Sequence, residues 1–152
     1  MSKVYCNHIN KGMFVSHQGV SLCCVNHDKY KGIKPSEFWE GDVRKDALSN
    51  MSDKHEVKGC DGCYKTESKK MPSSRTFANG YDALPVKKFP TMLDIDLSNF
   101  CNLKCVMCGS TRSSEWAKDI GLPVSSVSQD IIDDLANVSE DLQHLTIQGG
   151  EP

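Results

Sequence analysis

The chemical capacity of this sequence lies in its sulfur ligands. Eight cysteines stand at positions 6, 23, 24, 60, 63, 101, 105 and 108 of 152 residues, so two groups flank a cysteine-free stretch. The second group, Cys101-Asn102-Leu103-Lys104-Cys105-Val106-Met107-Cys108, reads C-x3-C-x2-C. Three thiolates in one short loop suit a soft centre: zinc, copper(I) or an iron–sulfur cluster. A structural zinc needs a fourth ligand, such as His144 or another distant residue. A four-iron cubane held by three cysteines instead leaves one iron open to a small molecule. In the first group, Cys60-Asp61-Gly62-Cys63 is a C-x2-C knuckle that Cys6 and the Cys23-Cys24 pair join. That is four thiolates for one closed site with one cysteine over, which fits zinc as well as iron–sulfur. The five histidines, His8, His17, His27, His55 and His144, show no metal spacing among themselves and read as solvated or hydrogen-bonded residues.

The elements that must carry these ligands are legible from periodicity. Met13–Ser16 and Val20–Cys24 read as a β-hairpin turning at His17-Gln18-Gly19. A helix is expected from Pro35 with Ser36 as N-cap, carrying Phe38, Trp39, Val43 and Leu48, and a shorter one near Gly62 that Met71-Pro72-Ser73-Ser74 breaks. Leu93, Ile95 and Leu97 alternate with Asp94, Asp96 and Ser98, which predicts a strand ending just before Cys101. Ile131, Leu135 and Val138 predict an amphipathic helix over about 127–138, opened by a Ser126/Gln129 capping box. A second strand runs from His144 to Gln148, and strand, helix and strand form one right-handed βαβ unit. Its carboxyl end delivers Gly149-Gly150-Glu151-Pro152, a side-chain-free backbone with one carboxylate, to the same sheet edge as the cysteine loop. Asp94 and Asp96 read as an ordinary polar strand face, the alternative being that they point into a barrel interior toward cofactor or substrate.

Composition narrows the classes. Twenty acidic against 18 basic residues leave a net charge of −2, which directs the chain toward neither nucleic acid nor an anionic membrane surface. No apolar run approaches a membrane span, and the N-terminus lacks a secretory h-region, so a reducing, cytoplasmic location is expected.

Together the C-x3-C-x2-C loop after one strand and the Gly149-Gly150-Glu151 motif after the next resemble the radical S-adenosylmethionine (radical SAM) superfamily. The resemblance implies that Cys101, Cys105 and Cys108 hold a [4Fe–4S] cluster whose fourth iron is chelated by S-adenosylmethionine, with Gly149, Gly150 and Glu151 at its amino group. Met107 stands where the family often has an aromatic residue that seats the adenine. The implied chemistry is reductive cleavage of the sulfonium to a 5′-deoxyadenosyl radical that abstracts hydrogen from a substrate. In the first group, Cys6, Cys23 or Cys24, and Cys60-x2-Cys63 resemble a twitch subdomain, a short relative of SPASM domains. That implies an auxiliary [4Fe–4S] cluster on Cys6, Cys23, Cys60 and Cys63, with Cys24 as the alternative to Cys23. Glu67 and Ser74-Arg75 look like the tail of that pattern.

The expected fold is therefore α/β: a small cysteine-rich α+β subdomain with a β-hairpin over 1–85, then the first βαβ unit of a partial (β/α)6 radical SAM barrel over 86–152. About four βα units of such a barrel lie beyond this sequence. The chain is thus expected to be an N-terminal fragment, or one half of a split protein, in which Leu93, Ile95 and Ile147 lack apolar partners. The resemblance implies a reducing protein such as flavodoxin or ferredoxin as partner and, by analogy with SPASM and twitch relatives, a peptide or protein substrate. The alternative is a non-catalytic zinc- or iron–sulfur-stabilised binding module, or an inactive remnant that keeps its clusters.

Overall fold

A computed structural model describes residues 4–149. The elements follow as α1 (Asn7–Lys11), β1 (Gly12–Ser16), β2 (Gly19–Ser21), α2 (Pro35–Glu40), α3 (Asp42–Ser52) and α4 (Asp61–Ser68). They continue as α5 (Ser74–Asn79), β3 (Met92–Asp96), α6 (Ser114–Asp119), α7 (Gln129–Asn137) and β4 (His144–Gln148). The architecture is mixed α/β, with one open four-stranded sheet of order β2-β1-β3-β4. β1 pairs antiparallel with β2, and β3 lies parallel to both β1 and β4. Residue 85 lies in the connection between α5 and β3, and the sheet takes strands from both sides of it. Among the described residues no helix is long and apolar enough to cross a membrane.

The strands sort their side chains by the two-residue period. Met13, Val15, Leu93 and Ile95 face one core with Phe38, Trp39, Ala47, Met51, Leu135 and Val138 from the helices. Leu93 and Ile95 are thus buried, against expectation, because the N-terminal hairpin extends the sheet beside them and α2, α3 and α7 cover it. Ile147, on the edge strand, stays exposed. The opposite face carries Phe14, Ser16, Met92, Asp94, Asp96, His144, Thr146 and Gln148, in register across β1, β3 and β4.

Several helix boundaries differ from their sequence signals for local reasons. α2 is capped at Lys34 rather than Ser36, and Gly41 separates it from α3. α7 starts after Ser128, while Ser126 bridges to Ser98. Three short helices carry no signal in the sequence reading: α1, α5, opened by the reciprocal Ser73/Thr76 box, and α6, capped by Ser113.

Ser36, displaced from its capping role, docks α2 on α7. Its backbone N–H and its hydroxyl donate to the two oxygens of Asp134 at 2.8 and 2.9 Å. Burial opposes charge on Asp134, but these bonds and one from Asn137 outweigh it and hold the carboxyl below the usual carboxylate range. Its contribution to stability is then complete above the ordinary pKa of about 4 and is lost as pH falls through the depressed folded value. Asp134→Asn is expected to cost about 1 kcal/mol near neutrality and close to nothing in strong acid, read by urea unfolding at both pH values. An equal loss at both would contradict this linkage.

Candidate metal and cofactor site

β2 ends at Ser21, not at Cys24, and the chain turns there. The Ser21 hydroxyl donates to the Cys23 carbonyl at 2.9 Å, and the Asn26 N–H donates to the same carbonyl at 3.2 Å. Lys29 Nζ reaches Ser21 Oγ and the carbonyls of Cys23 and Cys24, holding the turn closed. The turn gives two adjacent cysteines different surroundings. Cys23 is buried and has Cys6, Cys24 and Cys60 as electrostatic neighbours, while Cys6 has Cys60 and Cys63. Cys24 instead lies near Asp94, Gln148, Lys29 and Arg112 on the polar face of the sheet. Cys6, Cys23, Cys60 and Cys63 thus neighbour one another, while Cys24, next to Cys23, also faces the polar side of the sheet.

Burial pushes the Cys6 thiol up to about 11, with the nearby Cys60 and Cys63 adding to the rise, and it pushes Cys23 up strongly. Cys60 rises through burial and through Cys63 and Asp61, against a hydrogen bond from Asn26. Thiols held this close repel one another as anions, and a bound metal cation reverses that repulsion. A cavity of about 370 Å³ lies beside them, lined by Cys23, Asn26, His27, Cys60, Cys63 and Ser73.

Two polar residues fix this group, and only one was singled out in the sequence. Asn26 is buried; its Nδ2 donates to the Lys58 carbonyl at 3.2 Å and to Cys60 Sγ at 3.6 Å. It ties the turn at residue 23 to the knuckle at residue 60. Arg75 is also buried and pairs through two nitrogens with both oxygens of Glu67, joining α4 to α5. Its third nitrogen donates to the Tyr5 carbonyl at 2.9 Å, where Asn79 Nδ2 donates at 3.0 Å. The bidentate pair therefore fixes the knuckle helix against the backbone next to Cys6. Burial works against the charge on Glu67, and the Arg75 and Ser73 hydrogen bonds prevail, keeping its carboxyl below the usual range.

Cys101, Cys105 and Cys108 share one loop at the carboxyl end of β3. Asn99 staples its base: its N–H donates to Ser125 O, its Oδ1 accepts from Ser125 N–H at 2.8 Å, and its Nδ2 reaches Pro123 O. The Ser114 hydroxyl exchanges bonds with both backbone groups of the buried Cys101. Ser113 Oγ donates to Leu103 O at 2.7 Å, and Trp116 Nε1 donates to Cys105 O at 3.1 Å. α6 therefore holds the loop through backbone contacts, leaving the sulfurs free of strong partners. The Cys108 N–H closes a turn on Cys105 O at 3.0 Å. Within that turn Val106 and Met107 are 100% and 97% exposed.

The segment that leads from β3 into the loop meets the end of β4 at Gly149, whose φ of +95° and close approach favour glycine. A Cβ there would fall 2.0 Å from Asp96 Oδ1 and 3.0 Å from Ser98 O. Asp96 is no solvated strand residue: it is 4% exposed and its Oδ1 has no hydrogen-bond partner among the described residues. Burial raises its pKa, against His17 and Arg112. Arg112 Nε lies 3.9 Å from Asp96 Oδ2 and its NH2 group donates to Gln148 at 3.2 Å, linking the cysteine loop to both strand ends. Gly150 and Glu151, expected at the same edge, lie outside the described residues. Among the described residues no three His, Cys, Asp or Glu side chains are set to hold a single metal ion. A cubane spreads its thiolates over separate iron corners and asks for no such single point.

Comparison with family models, curated proteins and solved structures returned no match.

The separation of the paired cysteines is open to direct test. Cys23→Ser is expected to remove the metal bound by the N-terminal group, while Cys24→Ser keeps it, with metal content of the purified variants as the readout. Loss in Cys24→Ser with retention in Cys23→Ser would reverse the assignment.

Proposed function

We propose that the chain is a radical SAM protein, with β3, α7 and β4 as the first βαβ unit of a barrel of that family. Cys101, Cys105 and Cys108 would hold the [4Fe–4S] cluster, and Cys6, Cys23, Cys60 and Cys63 an auxiliary one. The observation that carries this reading is the close approach of Gly149 to Asp96 and Ser98 at the carboxyl ends of two adjacent parallel strands, with the three-cysteine loop following the first of them and Asp96 Oδ1 unpartnered among the described residues. The donor set fits the groups. Three thiols serve iron, and a buried carboxylate oxygen beside a side-chain-free backbone suits the ammonium of an amino-acid cofactor.

When bound, the cluster and S-adenosylmethionine supply one-electron cleavage of the sulfonium and a primary radical for hydrogen abstraction. The chain's own residues bind and orient. α6 holds the loop through Ser113, Ser114 and Trp116, so that Cys105 and Cys108 are presented at the surface without rearrangement. Arg112 and Gln148 fix the two strand ends, and Asp96 offers its free oxygen to a cation there. Met107, exposed beside Cys108, provides a flexible thioether surface for an adenine ring. A low-potential donor of the flavodoxin or ferredoxin type would supply electrons, and a peptide or protein is the substrate class the resemblance suggests.

The test is anaerobic reconstitution of the chain with iron and sulfide, with cluster content and the electron paramagnetic resonance of the reduced sample read in the unmodified protein and in Cys105→Ala. The unmodified protein is expected to hold two clusters and Cys105→Ala one. Equal cluster content in the two proteins contradicts the reading.

A further inference from the structure

A separate cavity of about 210 Å³ opens on the polar face of the sheet, with His8, Cys24, Tyr81, Asp94, His144 and Thr146 among its walls. Asp94 is one of these walls, 6% exposed. Its ion-pair contact among the described residues is His8 Nε2 at 3.8 Å, beyond hydrogen-bond reach, and His8 Nδ1 is buried without a partner among them. Burial lowers the pKa of His8 and so disfavours its charged form, and among the described residues no lysine or arginine lines this cavity to balance the carboxylate. Lys29 and Arg112, which neighbour Cys24, are engaged elsewhere: Lys29 on Ser21 and the carbonyls of Cys23 and Cys24, Arg112 on Gln148 and Asp96.

The remaining walls favour an organic cation. The rings of Tyr81 and His144 lie with centroids 4.6 Å apart, and the Thr146 hydroxyl meets His144 Nε2 at 3.2 Å, fixing that ring. A carboxylate beside aromatic faces satisfies a primary ammonium or a guanidinium by charge and by cation–π attraction together. A bare metal ion is the poorer occupant, because no three ligating side chains converge here.

We propose that this cavity binds the ammonium or guanidinium head of the substrate, with Asp94 as counter-ion and Tyr81 and His144 as its aromatic wall. The assignment of that cation to a substrate rests on the function proposed above, because Asp94 shares its strand face with Asp96, two residues nearer the cysteine loop. A lysine or arginine side chain of a peptide and a free amine offer the same chemistry.

The test is a titration of the purified chain, by calorimetry or NMR, with the N-acetyl N-methylamides of lysine, arginine and norleucine, and with butylamine. The lysine or arginine compound is expected to bind about tenfold or more tightly than the neutral norleucine isostere. Asp94→Asn, checked for native circular dichroism, should erase that preference. Equal binding of the lysine and norleucine compounds to the unmodified protein overturns the proposal without any variant. Butylamine matching the lysine compound identifies a free amine as the source, and weaker butylamine binding identifies a peptide. Displacement of the lysine compound by stoichiometric S-adenosylmethionine assigns the cavity to the cofactor and overturns it as well. The Cys105→Ala variant should keep the cation preference, so failure of the radical chemistry and failure of this site are separately visible.

Discussion

The parallel pairing of β1 with β3 is the contact on which the rest of the structure depends. It joins residues almost eighty positions apart, from Gly12 opposite Met92 to Ser16 opposite Asp96, and makes one sheet of what the sequence presents as two segments. The approach is close: a Cβ on Gly12 would stand 2.7 Å from the Met92 carbonyl oxygen. This pairing buries Leu93 and Ile95 beside Met13 and Val15 under α2, α3 and α7. It also brings Cys24, at the exit of the N-terminal hairpin, near Asp94 and Gln148 of the other segment.

Given that sheet, each cysteine group is positioned by hydrogen bonds that leave its sulfurs largely uncommitted. Around the N-terminal group the Arg75–Glu67 pair and Asn26 fix backbone and helices, and around the second group Asn99, Ser113 and Ser114 do the same for a loop. Such preorganisation means that a metal centre would meet thiols already brought near one another, with less chain entropy left to lose on binding. The polar face of the same sheet holds both Asp94 and Asp96 buried, with Asp96 Oδ1 unpartnered among the described residues.

Local elements were legible in the sequence wherever one period dominated. β4 runs from His144 to Gln148 as its alternation predicts, while β3 starts one residue earlier than its alternation and stops at Asp96, short of the expected end before Cys101. The hairpin and α4 also stand close to their expected places. What the sequence did not show was long-range. Nothing in Met13–Ser16 announces a parallel partner across seventy-odd residues, so the coverage of Leu93 and Ile95 was underestimated. For the same reason Asp94 and Asp96 read as an ordinary polar strand face, whereas both are buried. The choice between Cys23 and Cys24 depended on where β2 stops, and strand ends are the least determined by propensity. Asn26 and Arg112 gave no pattern at all, because their roles exist only once distant backbone segments are adjacent.

The central claim is that two iron–sulfur centres occupy the two cysteine groups and that only the one on Cys101, Cys105 and Cys108 meets a small-molecule cofactor. The most direct measurement is anaerobic iron, sulfide and zinc analysis of the purified chain, with electron paramagnetic resonance of the reduced sample before and after adding S-adenosylmethionine. The account predicts iron and sulfide sufficient for two cubanes and one signal that changes with the cofactor while the other stays fixed. Zinc without sulfide would contradict it and leave a structural metalloprotein.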